Sequence, residues 1–219
     1  MNPRRRCAWL AGSLALTLAA AAQTAPREHF LPETHSNYIH ALEDPKRVTW
    51  QQPDQVIEKL DLKPGMAVAD LGAGSGYFTM KLADAVGPKG VVYAIDIDQG
   101  MLDYISQRMK ADKETNIKLV LAAPHDPKLA NASVDLIFIC DTLHHIPERP
   151  TYYPLLMRAL RPGGRLVNID FLKKPLPLGP PPAQKIDKDD MIAEAKAGGF
   201  RLIKEFDFLQ YQYFLIFGR

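Results

Sequence analysis

Cysteine is nearly missing from this chain: Cys7 and Cys140 are the only two among 219 residues. Cys7 falls in an N-terminal stretch that reads as a removable signal, so Cys140 stands alone. That excludes an internal disulfide framework and any cysteine-cluster metal site. Cys140 closes an apolar run and reads as a small buried hydrophobe rather than a nucleophile. An excess of charge is lacking too. Lys and Arg number 27 against 25 Asp and Glu, and loss of Arg4, Arg5 and Arg6 with the signal takes Lys+Arg from 27 to 24 against the same 25. A near-neutral domain offers no electrostatic footprint for nucleic acid. No run reaches the roughly 20 apolar residues that a membrane-spanning helix needs, and no internal repeat is present.

The longest uncharged run, residues 8–21, is short and alanine-rich. It follows three arginines and ends at Ala20-Ala21-Ala22, the arrangement of a secretory signal peptide with small residues at its cleavage site. The expectation is export, periplasmic or secreted, with cleavage near Ala22 and no stable membrane insertion afterwards. Cys7 precedes the apolar run, which argues against acylation there.

What is abundant is the alternation of short apolar runs with helical patterns. Residues 23–52 read as a loosely structured arm; its His29, His35 and His40, with Tyr38 and Trp50, could line an acceptor pocket or bind a metal, but the histidine spacings share no helix face and solvated residues are the preferred reading. Pro53 suits the first turn of a helix running to about Asp61. Runs of strand length follow at 66–70, 91–95, 117–121, 134–140 and 165–169, separated by helical patterns at 77–86, 99–113 and 151–160. A helix at 187–197 then precedes two strands, 200–208 and 212–217, too close together for a parallel crossover. This predicts an α/β, Rossmann-like doubly wound sheet of seven strands, mostly parallel and ending in an antiparallel hairpin. The aromatic tail, Tyr211, Tyr213, Phe214 and Phe217, fits that sheet's core. Residues 172–186, rich in proline, read as a surface linker or as a lid.

Chemistry concentrates in the loop Asp70-Leu71-Gly72-Ala73-Gly74-Ser75-Gly76, between the first strand and its helix. Glycines there let backbone N–H groups and a helix N-terminus approach a ligand. The dinucleotide fingerprint places glycines first, third and sixth; here they are first, third and fifth, with Tyr77 sixth, so a pyrophosphate ligand is disfavoured. Asp96, at the tip of the second strand, can accept hydrogen bonds from both ribose hydroxyls of an adenosine cofactor.

The run Val68-Ala69-Asp70-Leu71-Gly72-Ala73-Gly74-Ser75-Gly76 resembles the first motif of the class I S-adenosylmethionine-dependent methyltransferases, and Ala94-Ile95-Asp96-Ile97 resembles their second. Asp141-Thr142-Leu143-His144-His145-Ile146 looks like the fourth-strand tip of the small-molecule, ubiquinone-biosynthesis type, and Arg161-Pro162-Gly163-Gly164-Arg165-Leu166 like the turn before their fifth strand. The likeness spans about residues 53–219. It implies S-adenosyl-L-methionine as cofactor, with Gly72, Ala73, Gly74 and Gly76 wrapping its methionine part, Asp70 near the amino group, Asp96 on the ribose, Ile97 on the adenine face and Asp141 lining the site. The acid that many relatives place after the third strand falls here on Ala122-Ala123, and Asp126 is the candidate substitute. No metal is implied.

Methyl transfer from a sulfonium is an in-line displacement driven by positioning and exclusion of water. A base is needed only where the acceptor must lose a proton, and His144 and His145 are the candidates by position and ordinary pKa. Three other readings compete. Asp61-Leu62-Lys63-Pro64-Gly65-Met66 also resembles the isoaspartyl protein O-methyltransferases; a nicotinamide oxidoreductase would require the missing sixth-place glycine; an exported binding module would keep the fold without catalysis. The acceptor is expected to be a small molecule.

Overall fold

The computed structural model describes residues 33–219; the expected signal peptide and His29 lie outside them. Helices α1 (Glu33–Leu42), α2 (Arg47–Gln51) and α3 (Pro53–Lys59) lead into β1 (Ala67–Leu71), α4 (Tyr77–Val86), β2 (Val91–Asp96), α5 (Gln99–Asp112), β3 (Ile117–Leu121) and β4 (Val134–Cys140). Helix α6 (Arg149–Ala159), β5 (Leu160–Phe171), α7 (Lys188–Ala197), β6 (Arg201–Phe206) and β7 (Gln212–Gly218) complete the chain.

The sheet has seven strands in the order β3-β2-β1-β4-β5-β7-β6. The first five pair in parallel, and β7 runs antiparallel between β5 and β6. This is the doubly wound, mostly parallel architecture that the alternation predicts. Every residue of β1 is buried, as expected of a strand covered by helices on both faces. One apolar cluster, including Ile137, Leu156 and Phe217, fills one face of the sheet. Another, including Val68, Phe78, Phe138 and Ile216, fills the other. The tail aromatics Tyr213, Phe214 and Phe217 are core residues, as their alternation suggests.

Local signals set most boundaries. Asp98 caps α5 by accepting from the Gly100 N–H at 2.7 Å, and Asp187 caps α7 by accepting from the Asp189 N–H at 3.0 Å. Pro162-Gly163-Gly164 proves to be an irregularity inside β5, whose pairing partner jumps from Leu160 opposite Val134 to Arg165 opposite Leu136.

The arm is the main departure. Residues 33–51 form two helices where a loose segment is expected. Neither helix could stand alone at ten and five residues. They are held instead by docking: Ile39, Arg47 and Gln51 are buried, and Glu43 pairs with Arg108 of α5 at 2.7 Å.

Candidate active site

The strand order reverses between β1 and β4, and a cavity of about 840 Å³ opens beside their carboxyl ends, where ligands bind in open α/β sheets. Its floor is the glycine loop. Gly72 has φ of +77°, and a Cβ there would fall 2.2 Å from Thr142 Oγ1, so only glycine fits. The Gly72 and Ala73 N–H groups donate to Ile95 O at 2.8 and 3.0 Å. The Gly74 N–H donates to Asp96 Oδ2 at 2.8 Å. The loop is thereby tied to the tip of β2, and Gly76 begins α4.

Three carboxylates of the sequence reading meet here: Asp70, Asp96 and Asp141 all line the cavity. Asp70 is 3% exposed and accepts from Thr79 Oγ1 at 2.6 Å. Burial pushes its pKa up to about 7 against that hydrogen bond. Burial also raises Asp96, although the Asp98 and Gly74 N–H groups act against it. Asp141 accepts from Gln212 Nε2 at 2.6 Å and Gln51 Nε2 at 3.1 Å, and burial, then the charge of Asp170, lifts it to about 7. Ile97 lies at the rim, 63% exposed, an apolar face open to a planar ligand. Asp126 is different. It pairs with Lys128 at 2.8 Å and does not line the cavity, where Ala122 and Pro124 stand instead. Its assignment to the adenine is corrected accordingly, because a short reverse bridge between Ala123 and Asp126 turns the acid aside.

The arm forms part of the wall as two helices, and nothing in the sequence pointed to Arg47 there. Tyr38, Leu42, Arg47 and Trp50 line the cavity; Tyr38 is 55% exposed, as a solvated residue would be, while Trp50 is half-buried. Arg47 is buried, donates from Nε to Gln51 Oε1 at 2.7 Å and from Nη1 to Leu42 O, and stacks 4.0 Å from the Tyr77 ring centroid. No carboxylate pairs with it among the described residues. His35 bonds to Asp98 at 2.9 Å; His40 is exposed. Cys140 borders the cavity, and burial raises its thiol pKa well above the ordinary value, which keeps it protonated and inert.

The fourth-strand tip separates its two histidines. His144 turns its side chain inward, 3% exposed, and its Nδ1 lies 2.8 and 3.0 Å from the two oxygens of Asp170, which is fully buried at the end of β5. Burial alone would lower the His144 pKa, but the hydrogen bond and charge of Asp170 outweigh it and the net shift is upward. His145 is exposed, its ring centroid 4.1 Å from that of His144, and burial of part of the ring followed by the neighbouring charge lowers its pKa. Both line the cavity, and His144 also borders a second cavity of about 490 Å³ that reaches Lys173, Lys185 and Arg149. The sequence offered no signal for Asp170, whose distance from His144 closes only through strand pairing.

A methyltransferase domain model matches residues 68–164. A demethylmenaquinone methyltransferase of Lactococcus lactis is 30% identical over 114 residues, covering 52% of this chain and 45% of that protein. A ubiquinone/menaquinone biosynthesis C-methyltransferase of Shewanella sediminis is 32% identical over 119 residues, covering 53% and 47%. The chain thus spans about half the length of these curated relatives. The crystal structure of a SAM-dependent methyltransferase from Aquifex aeolicus superposes with a TM-score of 0.79 at 28% identity, covering 83% of this chain and 97% of that one. Residues 68–164 thus match a methyltransferase domain, and the chain has the fold of a SAM-dependent methyltransferase.

The cavity fits S-adenosylmethionine, the cofactor that this fold implies, in size and in donor set. Its volume lies within the ~300–1,000 Å³ usual for small-molecule sites. Gly72, Gly74 and Asp96 leave backbone and carboxylate facing where a sugar and an amino acid would lie. Ser75 and Tyr77 line the cavity with hydroxyls that have no protein partner. Arg47 adds a cation for a carboxylate, opposite in sign to Asp70.

Proposed function

We propose that this protein transfers a methyl group from S-adenosylmethionine to a small, largely apolar acceptor. The observation that carries the reading is the continuity of one cavity. Its cofactor end holds Asp70, Gly72 and Asp96; its other end is walled by Trp50, Ile146, Pro147, Tyr152 and Phe171. An apolar chamber of that kind takes a ring or a hydrocarbon better than a charged chain, because desolvating charge there goes uncompensated. The Lactococcus and Shewanella relatives, a demethylmenaquinone methyltransferase and a ubiquinone/menaquinone biosynthesis C-methyltransferase, support a ring-bearing acceptor.

In this reading Asp96 receives the ribose hydroxyls, Asp70 the ammonium and Arg47 the carboxylate, while Ile97 covers the adenine. The cofactor supplies an electrophilic methyl on sulfur; the chain supplies alignment and dryness. Residues 172–186 act as a lid, since Leu178, Gly179 and Pro180 reach the cavity and Lys185 Nζ donates to Lys174 O at 2.9 Å, closing the segment at its base. The N-terminal sequence supports work outside the cytoplasm after signal cleavage.

Titration calorimetry with S-adenosylhomocysteine tests the core of this. Micromolar binding is expected, weakened by at least ~100-fold in Asp96→Ala, which loses two charge-assisted hydrogen bonds at ~1.5–3 kcal/mol each. Equal affinity in the variant would remove Asp96 from the site. Cell fractionation with N-terminal sequencing tests export: a full-length cytosolic protein would end it.

A further inference from the structure

Resting on the methyl-transfer reading above, we infer that the acceptor is a hydroxyl compound whose O–H proton is taken by His144, with Asp170 as the positioning residue that aims the imidazole.

Asp170 is fully buried, and both of its oxygens are directed at His144 Nδ1, at 2.8 and 3.0 Å, while Oδ1 also accepts from the Phe171 N–H at 2.8 Å. A carboxylate so placed requires Nδ1 to carry the hydrogen, which leaves the lone pair of the neutral ring on Nε2. Nε2 has no partner among the described residues, and the ring borders the cavity that also holds the glycine loop. His145 lacks this arrangement: no carboxylate bonds to it, and its pKa falls while that of His144 rises. Of the two histidines expected from the sequence, the geometry selects one.

The pairing bears on the acceptor's class. A neutral amine attacks a sulfonium with its own lone pair and needs no base beforehand. A hydroxyl is a poor nucleophile until its proton leaves. Here the acceptor O–H bond breaks as its proton moves to His144 Nε2; the O–CH₃ bond forms with that electron pair, and the electrons of the broken S–CH₃ bond stay on sulfur. The resulting imidazolium faces Asp170 from β5 and Asp141 from the end of β4. His145 on the same turn and Arg149 from α6 oppose it, and Lys185 acts on Asp170. The second cavity, which His144 also lines, gives the proton a way to solvent.

The probe is 4-nitrophenol, whose anion absorbs visibly, titrated against protein loaded with S-adenosylhomocysteine. Wild type is expected to bind it and to hold it as phenolate at least one pH unit below the pH at which the free probe ionises. His144→Gln and Asp170→Asn should each abolish that displacement while leaving S-adenosylhomocysteine affinity within threefold. Ring-¹⁵N histidine spectra should show His144 with hydrogen on Nδ1 at high pH, and a mixture of tautomers with a lower pKa in Asp170→Asn. The spectra establish the tautomer; a purely structural pair would share it but would leave the ionisation of the probe unmoved. Failure of the wild type to bind or ionise the probe, or an unchanged displacement in the variants, overturns the inference even if a variant folds poorly. Failure of the wild type to bind S-adenosylhomocysteine would instead overturn the cofactor reading.

Discussion

Asp70→Asn should make the cofactor-free protein more stable and the cofactor complex weaker. The Asp70 carboxyl is 3% exposed and its pKa rises from 3.8 to about 7, with burial as the main cause. A carboxyl whose pKa is higher in the folded state binds more protons there than in the unfolded chain between those two values, so stability falls as pH climbs through that window and stays reduced above it. About three pH units at ~1.4 kcal/mol each set a ceiling of roughly 4 kcal/mol. Asparagine is uncharged, and its amide oxygen can still accept from Thr79 Oγ1. At pH 8 we therefore expect Asp70→Asn to gain about 2–4 kcal/mol, or roughly 5–10 °C in melting temperature for a domain of this size. At pH 5 the gain should shrink by more than half. Differential scanning calorimetry at the two pH values reads both. S-adenosylhomocysteine titration should show at least tenfold weaker binding, because the ammonium loses its counter-charge. A melting temperature at pH 8 equal to or below wild type, or a gain that is the same at pH 5, would refute the reasoning. The wild-type complex should also release a fraction of a proton on binding near pH 6, measurable by repeating the titration in buffers of different ionisation enthalpy.

Arg47→Met should weaken S-adenosylhomocysteine binding by about 10- to 100-fold, as loss of a buried charged partner does, and Arg47→Lys should recover little of it, because a point charge does not reproduce the planar fork stacked on Tyr77; both are read by calorimetry. Gly72→Ala should cost about 2 kcal/mol or more by denaturant unfolding, from its positive φ and the clash with Thr142; Thr142→Ala in the same chain should recover the part due to the clash. Gly179→Ala should speed proteolysis of the 172–186 segment, since its Cβ would meet the Phe171 ring at 2.8 Å; an unchanged cleavage rate would show that the segment is not packed there.

Much of the fold was legible because its signals are local. Strands β3 and β4 and helix α4 have the bounds that periodicity and glycine placement predict, and Asp70, Gly72 and Asp96 converge because their spacing along one strand-loop-helix-strand unit fixes where they meet. The arm was not legible. Arg47, Tyr38 and Trp50 acquire their roles only by docking against residues far along the chain, as with Trp50, whose ring lies 5.9 Å from that of Phe171. Asp170 was invisible for the same reason, 26 positions from His144. Asp126 misled in the opposite direction: it stands at a plausible distance in sequence, but a tight bend and Lys128 claim its carboxylate.

The insertion of β7 between β5 and β6 imposes an order on assembly. Strand β6 is synthesised before β7 yet has no neighbour in the sheet until β7 arrives, since its only pairing is with that strand. During synthesis the β5 edge and the apolar residues awaiting Phe214 and Phe217 stay open until then. The seven-stranded order is complete only when the later strand enters between its two neighbours.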